Sequence, residues 1–115
     1  MLGPLPCPYV DDNDYTEYEQ ALVRALGRRI AAERVAAGLT QEELAKRVGI
    51  VRKTMVRYEN GERDAPFITL IGIARALGLE SVSDLTVAAE AAAKREVPSF
   101  GRGPGVAGDA PEGQV

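Results

Sequence analysis

Apolar residues recur along this chain at intervals of three and four, the spacing that lines one face of an α-helix, and glycine or proline punctuates each run. Leu22, Leu26 and Ile30 follow Thr16 and Glu19, which can satisfy each other's backbone amides as a capping box, so a first helix is expected from about Glu17 to Ala37, with Gly38 ending it. Gly27 lies inside that run at a cost of about 1 kcal/mol relative to alanine. It is a candidate break, leaving a core helix from about residue 26 and a separate extension; the pattern alone leaves both alternatives open. Thr40 and Glu43 repeat the capping box, with Leu39 and Leu44 placed as a hydrophobic staple, and open a short second helix at Gln41. Gly49, free to take a left-handed backbone, stops it after Val48, and Ile50 then drops into the core.

A third helix is expected from about Arg52 to Asn60, closed by Gly61. Pro66 suits the first turn of a fourth helix, whose Leu70, Ile73, Ala74 and Leu77 form a core stripe up to Gly78. Ser81 with Asp84 can cap a fifth, which brings Leu79 and Leu85 to the core and runs on through Ala88–Lys94. Glu90 to Lys94 spells a stiff helical spacer, so this extension is expected to stand clear of the core.

The third helix sorts its residues by chemistry. Met55, Tyr58 and Glu59 share one face, while Arg52, Lys53, Val56, Arg57 and Asn60 fall on or near the other. Two short helices joined by a glycine corner, the second carrying three cations outward, form a tool for entering a DNA groove. Arginine and lysine can donate to guanine O6 and N7, so Arg52 and Arg57 are the expected base readers and Lys53 meets bases or phosphate. Val56 either touches a thymine methyl or is merely tolerated there. Arg28, Arg29, Arg47 and Arg63 are candidate phosphate contacts, against the plainer alternative of solvated surface arginines. Arg34 stands four residues past Ile30 on the apolar stripe, and Glu59 stands four past Met55. Opposite charges on inward faces of different helices imply an Arg34–Glu59 ion pair, unless both reach water at helix ends.

Composition narrows the classes. At 115 residues the chain holds one domain, and 45% hydrophobic content with abundant alanine and few aromatics favours tight helix packing. An all-α fold is expected. With no histidine and one cysteine, the commonest general base and the usual zinc-ligand sets are missing, which weakens an enzyme class from the outset. No cofactor or metal is expected. The Asp11-Asp12-Asn13-Asp14 run lacks the glycine and distal glutamate of a calcium loop and is read as a solvated cluster. Cys7 cannot form an internal disulfide, and no segment has the apolar length of a signal peptide or membrane span, so a cytoplasmic setting without membrane contact is expected.

Net charge is −3, which on its face opposes a polyanionic partner. Residues 1–20, however, hold five carboxylates and no cation, and residues 97–115 sum to −1, which leaves residues 21–96 at +3. Three segments are therefore expected: a disordered acidic leader over residues 1–15, a helical domain over 16–96, and a disordered tail over 97–115 with three prolines and five glycines.

The series Leu26-Gly27, Ile30, Arg34, Gly38-Leu39-Thr40-Gln41, Leu44-Ala45 and Gly49, then Tyr58-Glu59, Gly61, Pro66 and Ile73-Ala74-x-Ala76-Leu77-Gly78, closely resembles the Cro/CI-type (XRE-like) helix-turn-helix family of phage repressors and bacterial regulators. It spans residues 26–85. The resemblance implies a five-helix, lambda-repressor-like DNA-binding domain, here with an N-terminal extension and a lengthened C-terminal helix. It also implies operator binding, usually as a symmetric dimer, with the third helix in the major groove. By the same resemblance Gln41 and Asn60 meet backbone phosphates, Arg52, Lys53 and Arg57 meet bases, and Arg34 and Glu59 pair internally. Two departures stand out. Val51 occupies the place where the family usually supplies a capping serine or threonine, and Glu62 and Asp64 put negative charge near the expected phosphates.

The leading expectation is a transcriptional regulator, a repressor acting as a homodimer on double-stranded DNA. Its rival is an antitoxin-like or polymerase-associated interaction module that binds a partner protein through the leader or the fifth helix, with DNA contact secondary.

Overall fold

A computed structural model describes residues 15–98. Residues 1–14, with Cys7 and the Asp11–Asp14 run, and residues 99–115 lie outside the described part. Five helices follow in order, α1 (Glu17–Ala36), α2 (Gln41–Val48), α3 (Arg52–Glu59), α4 (Phe67–Ala76) and α5 (Ser83–Glu96), and no strand occurs among the described residues. The fold is all-α.

Local chemistry sets the helix starts and stops. Thr16 Oγ1 accepts from the Glu19 amide at 3.1 Å while Glu19 Oε1 accepts from the Thr16 amide at 2.9 Å, and Thr40 and Glu43 repeat the exchange at 3.0 and 2.8 Å. Each box satisfies two amides that a helix start otherwise leaves without partners. Pro66 stands one place before α4 rather than in its first turn, with an extended ψ of 151°. The fifth helix starts differently from expectation. Ser81 Oγ accepts from the Ser83 amide at 3.1 Å, two residues on, and the capping-box partner Asp84 donates instead to the Ser81 carbonyl at 3.0 Å. A tight turn thus replaces the box, and α5 begins at Ser83.

Every helix gives one large, fully enclosed side chain to the main core: Ile30, Leu44, Met55, Ile73 and Leu85. Each such burial contributes about 1.5–3 kcal/mol. Leu26, Leu39, Val48, Ile50, Leu77 and Leu79 close around them.

The packing decides between the two alternatives left open at Gly27 and corrects one expectation, for α5. α1 is continuous through Gly27, which is buried and makes no break. A Cβ there would sit 2.3 Å from the Tyr58 carbonyl oxygen and 2.6 Å from that of Glu59, so the missing side chain is what lets α1 lie against the end of α3. The alanine-rich part of α5 also does not stand clear of the core. Ala89 and Ala93 are buried, α5 runs along α1, and Ala93 and Val97 join Tyr18, Ala21 and Leu22 in a second apolar cluster. Small side chains on both helices allow that close approach. Val97, read as the first residue of the tail, belongs to this cluster: it is buried and donates its amide to the Ala93 carbonyl at 2.8 Å.

Candidate nucleic-acid interface

The corner between α2 and α3 is three residues long. Gly49 takes φ +91°, and the amides of Gly49 and Ile50 both donate to the Ala45 carbonyl, at 2.8 and 3.0 Å. This left-handed stop turns the chain within one residue. Val51 then precedes α3 with extended backbone and gives no side-chain cap.

On α3, Met55, Tyr58 and Glu59 are buried, while Arg52, Lys53 and Arg57 are exposed, as is Asn60 directly after it. Val56 lies between the two sets and is half-buried. The outward flank therefore carries three cations. The helix's one carboxylate, Glu59, faces inward, where it is neutralised. An open concavity of about 380 Å³ adjoins this flank, bounded by Arg34, Leu39, Thr40, Gln41, Glu42 and Arg52.

Behind the flank lies a polar brace. The Glu59 carboxylate accepts from Arg34 Nε at 2.8 Å, from Arg34 Nη2 at 3.2 Å and from Gln41 Nε2 at 2.9 Å, and Arg34 Nη1 donates to the Leu39 carbonyl at 2.8 Å. One carboxylate thus ties α1, the start of α2 and the end of α3 together. Charge-assisted bonds of this two-pronged kind are directional, so they fix the rotation of α3 as well as its position. Gln41, expected at a phosphate, has one amide hydrogen committed to Glu59.

The remaining arginines are spread more widely. Arg28 on α1, Arg47 on α2 and Arg63 in the α3–α4 loop are exposed, whereas Arg29 is paired with Glu33 one turn away at 2.7 Å. Glu62 and Asp64 are exposed beside Arg63. Sequence reasoning missed the Gln41–Glu59 bond and an ion pair between Arg24 on α1 and Glu96 at the end of α5. Neither carries a sequence signal, because each joins elements whose facing sides only the tertiary packing defines. Among the described residues, no group of three or more histidine, cysteine or acidic side chains is placed to hold a metal, and no helix is long and apolar enough to cross a membrane.

A helix-turn-helix family model matches residues 30–85. An uncharacterised HTH-type transcriptional regulator of Methanothermobacter thermautotrophicus is 45% identical over 65 residues, which is 56% of this chain and 94% of that protein. The chain belongs to the helix-turn-helix family. A second regulator so described, from Sinorhizobium fredii, is 36% identical over 63 residues, or 55% of this chain and 82% of its own length. Among solved structures, the clp gene regulator ClgR from Corynebacterium glutamicum superposes with a TM-score of 0.62 at 26% identity, covering 68% of this chain and 82% of that one. A second ClgR structure gives a TM-score of 0.58 at 28% identity, over 62% of this chain and 90% of that one. The family match begins at Ile30 within α1 and ends at Leu85 near the start of α5, so the outer half of α1 and most of α5 extend beyond it.

Proposed function

We propose that this chain is a sequence-specific, DNA-binding transcriptional regulator, a repressor that occupies a palindromic operator as a homodimer with α3 in the major groove. The observation that carries this is the division of α3 into an inward flank, whose carboxylate is neutralised by Arg34, and an outward flank holding Arg52, Lys53 and Arg57. Arg52 and Arg57 donate to guanine edges, each good bidentate contact being worth about 1–3 kcal/mol of discrimination; Lys53 reaches bases or phosphate, and Val56 meets a thymine methyl. Asn60, Arg28, Arg63 and the second amide hydrogen of Gln41 hold phosphates and set the register. In a symmetric dimer the two copies of α3 lie about 34 Å apart, one turn of the duplex. The HTH-type regulators to which the chain is similar, and the clp gene regulator ClgR, support this assignment. Cytoplasmic residence goes with it.

Selection of fragments from a random DNA pool, followed by gel shifts, tests the proposal. The wild type is expected to enrich one sequence, and an Arg52→Ala/Arg57→Ala variant to lose specific binding while staying folded; unchanged affinity refutes the role. Salt separates this from the partner-protein alternative, since log affinity for DNA must fall by about 0.9 per neutralised phosphate for each unit of log salt. The seating of α5 on α1 also removes the free-standing helix on which that alternative partly rested.

A further inference from the structure

The two segments outside the family match, the outer half of α1 and the length of α5, are built against each other, and the contact reaches the end of α3. Tyr18 and Ala21 of α1 pack on Ala93 and Val97 at the far end of α5, and beside them Arg24 pairs with Glu96. On its other side Arg24 meets Gly61, the residue that follows Asn60 at the close of α3. A Cβ on Gly61 would lie 2.9 Å from Arg24 Cα and 2.9 Å from Arg24 Cγ, and Gly61 holds φ +74°. One turn further along α1, Gly27 lies against the carbonyls of Tyr58 and Glu59. Arg24 is thus gripped from both sides, by the tail of α5 through its guanidinium and by the exit from α3 through its backbone and stem.

We propose that Arg24 is a positioning residue for DNA recognition, conveying the seating of the α5 tail to the C-terminal end of the reading helix through Gly61. The proposal rests on the DNA-reading role assigned to α3. The direction of α1 at Arg24 fixes where Gly61 can lie, and Gly61 fixes Asn60 and the last turn of α3, which holds Arg57. A tail lifted from α1 leaves Arg24 without its counter-charge and lets the α3 exit shift against α1. Base contacts tolerate such a shift poorly, because bidentate hydrogen bonds lose strength within a few tenths of an ångström, whereas the diffuse attraction between cations and phosphates does not. The signature is therefore loss of sequence discrimination with general DNA affinity retained.

The test uses full-length Glu96→Arg and the charge-swapped Arg24→Glu/Glu96→Arg variant. Glutamate at position 24 keeps the Cα and Cγ that meet Gly61, so the swap restores the pair without altering that contact. Both are titrated against a duplex carrying the sequence that the wild type enriches and against a scrambled duplex of equal length. Both side chains are 42% exposed, so the expected change is modest: the ratio of specific to non-specific affinity falls about threefold in Glu96→Arg and returns in the swap. A ratio unchanged in Glu96→Arg, or one still depressed in the swap, overturns the proposal. NMR amide resonances of Asn60 and Gly61 give a readout without DNA. They are expected to move in Glu96→Arg, because the Glu96 side chain bonds Arg24, and stationary peaks overturn the coupling. If the wild type enriches no sequence at all, the regulatory role fails while these resonances still decide the coupling.

Discussion

Arg34 and Glu59, separated by 25 residues, meet through two parallel bonds of 2.8 and 3.2 Å, and the Glu59 side chain retains 3% of its exposure. Taking one partner away leaves the other enclosed and uncompensated. Arg34→Ala strands the Glu59 carboxylate with Gln41 alone; Glu59→Ala strands a guanidinium still bonded to the Leu39 carbonyl. Each single variant is expected to lose about 3–5 kcal/mol, and the double variant less than the sum, because the stranded charge is then gone. Thermal melts check this: about 4–8 °C per kcal/mol applies to a domain of this size, so each midpoint should drop by more than about 10 °C.

Two helical glycines give opposite outcomes when changed to alanine. At Gly27 the added carbon would lie 2.3 Å from the backbone oxygen of Tyr58, which cannot rotate away, so α1 and α3 must separate. Gly27→Ala is expected to destabilise by about 1–3 kcal/mol despite alanine's better helix propensity. At Gly72 in α4 the nearest atom is Val48 Cγ1 at 3.8 Å, an ordinary contact. Gly72→Ala is expected to stabilise by up to about 1 kcal/mol. Urea midpoints moving in the same direction for both would contradict the close approach at Gly27.

Acid sensitivity has a local origin at the start of α2. The Thr40 amide donates to the Glu43 carboxylate at 2.8 Å, the Thr40 hydroxyl lies beside it, and Arg47 and Lys46 follow one turn on; together they hold its pKa below the ordinary carboxylate value. A carboxyl depressed in the folded state contributes stability that is present above its unfolded value and is lost as pH falls through the folded one. Glu43→Gln keeps an oxygen for the Thr40 amide but no charge to titrate. Its stability is expected to change less than that of the wild type as pH falls from about 5 towards 3, as chemical denaturation at stepped pH would show.

How far the sequence discloses this architecture depends on the range of each interaction. The boxes at Thr16–Glu19 and Thr40–Glu43 and the stop at Gly49 join residues within a turn of each other, so four or five letters suffice to place them. The inward faces of α1 and α3 are legible from helical periodicity. Gly27 and the alanines of α5 are not, because a small residue reads as a weak point or a spacer until the partner surface is known. Abundant alanine does favour close helix packing, but which helix Ala93 would meet depends on folding α5 back over residues more than seventy positions earlier. Gln41 illustrates the same limit at the interface: its place at the opening of α2 is evident, its bond to Glu59 is not.

Val51 leaves the start of α3 without a side-chain cap. It precedes α3 with φ −80° and ψ 154°, the extended backbone that a capping residue adopts, yet its side chain accepts nothing and is 66% exposed. The Thr54 and Met55 amides donate to the Val51 carbonyl, which leaves the Arg52 and Lys53 amides without helical acceptors. A serine hydroxyl at this position can accept from the first turn, and replacing an exposed valine forfeits little burial. Val51→Ser is therefore expected to raise stability by about 1 kcal/mol, a gain of roughly 4–8 °C in the melting midpoint. A firmer start to α3 also steadies Arg52 and Lys53, so the same variant should hold the selected duplex at least as tightly as the wild type. A lower midpoint would mean that the valine is packed against something its exposure does not reveal.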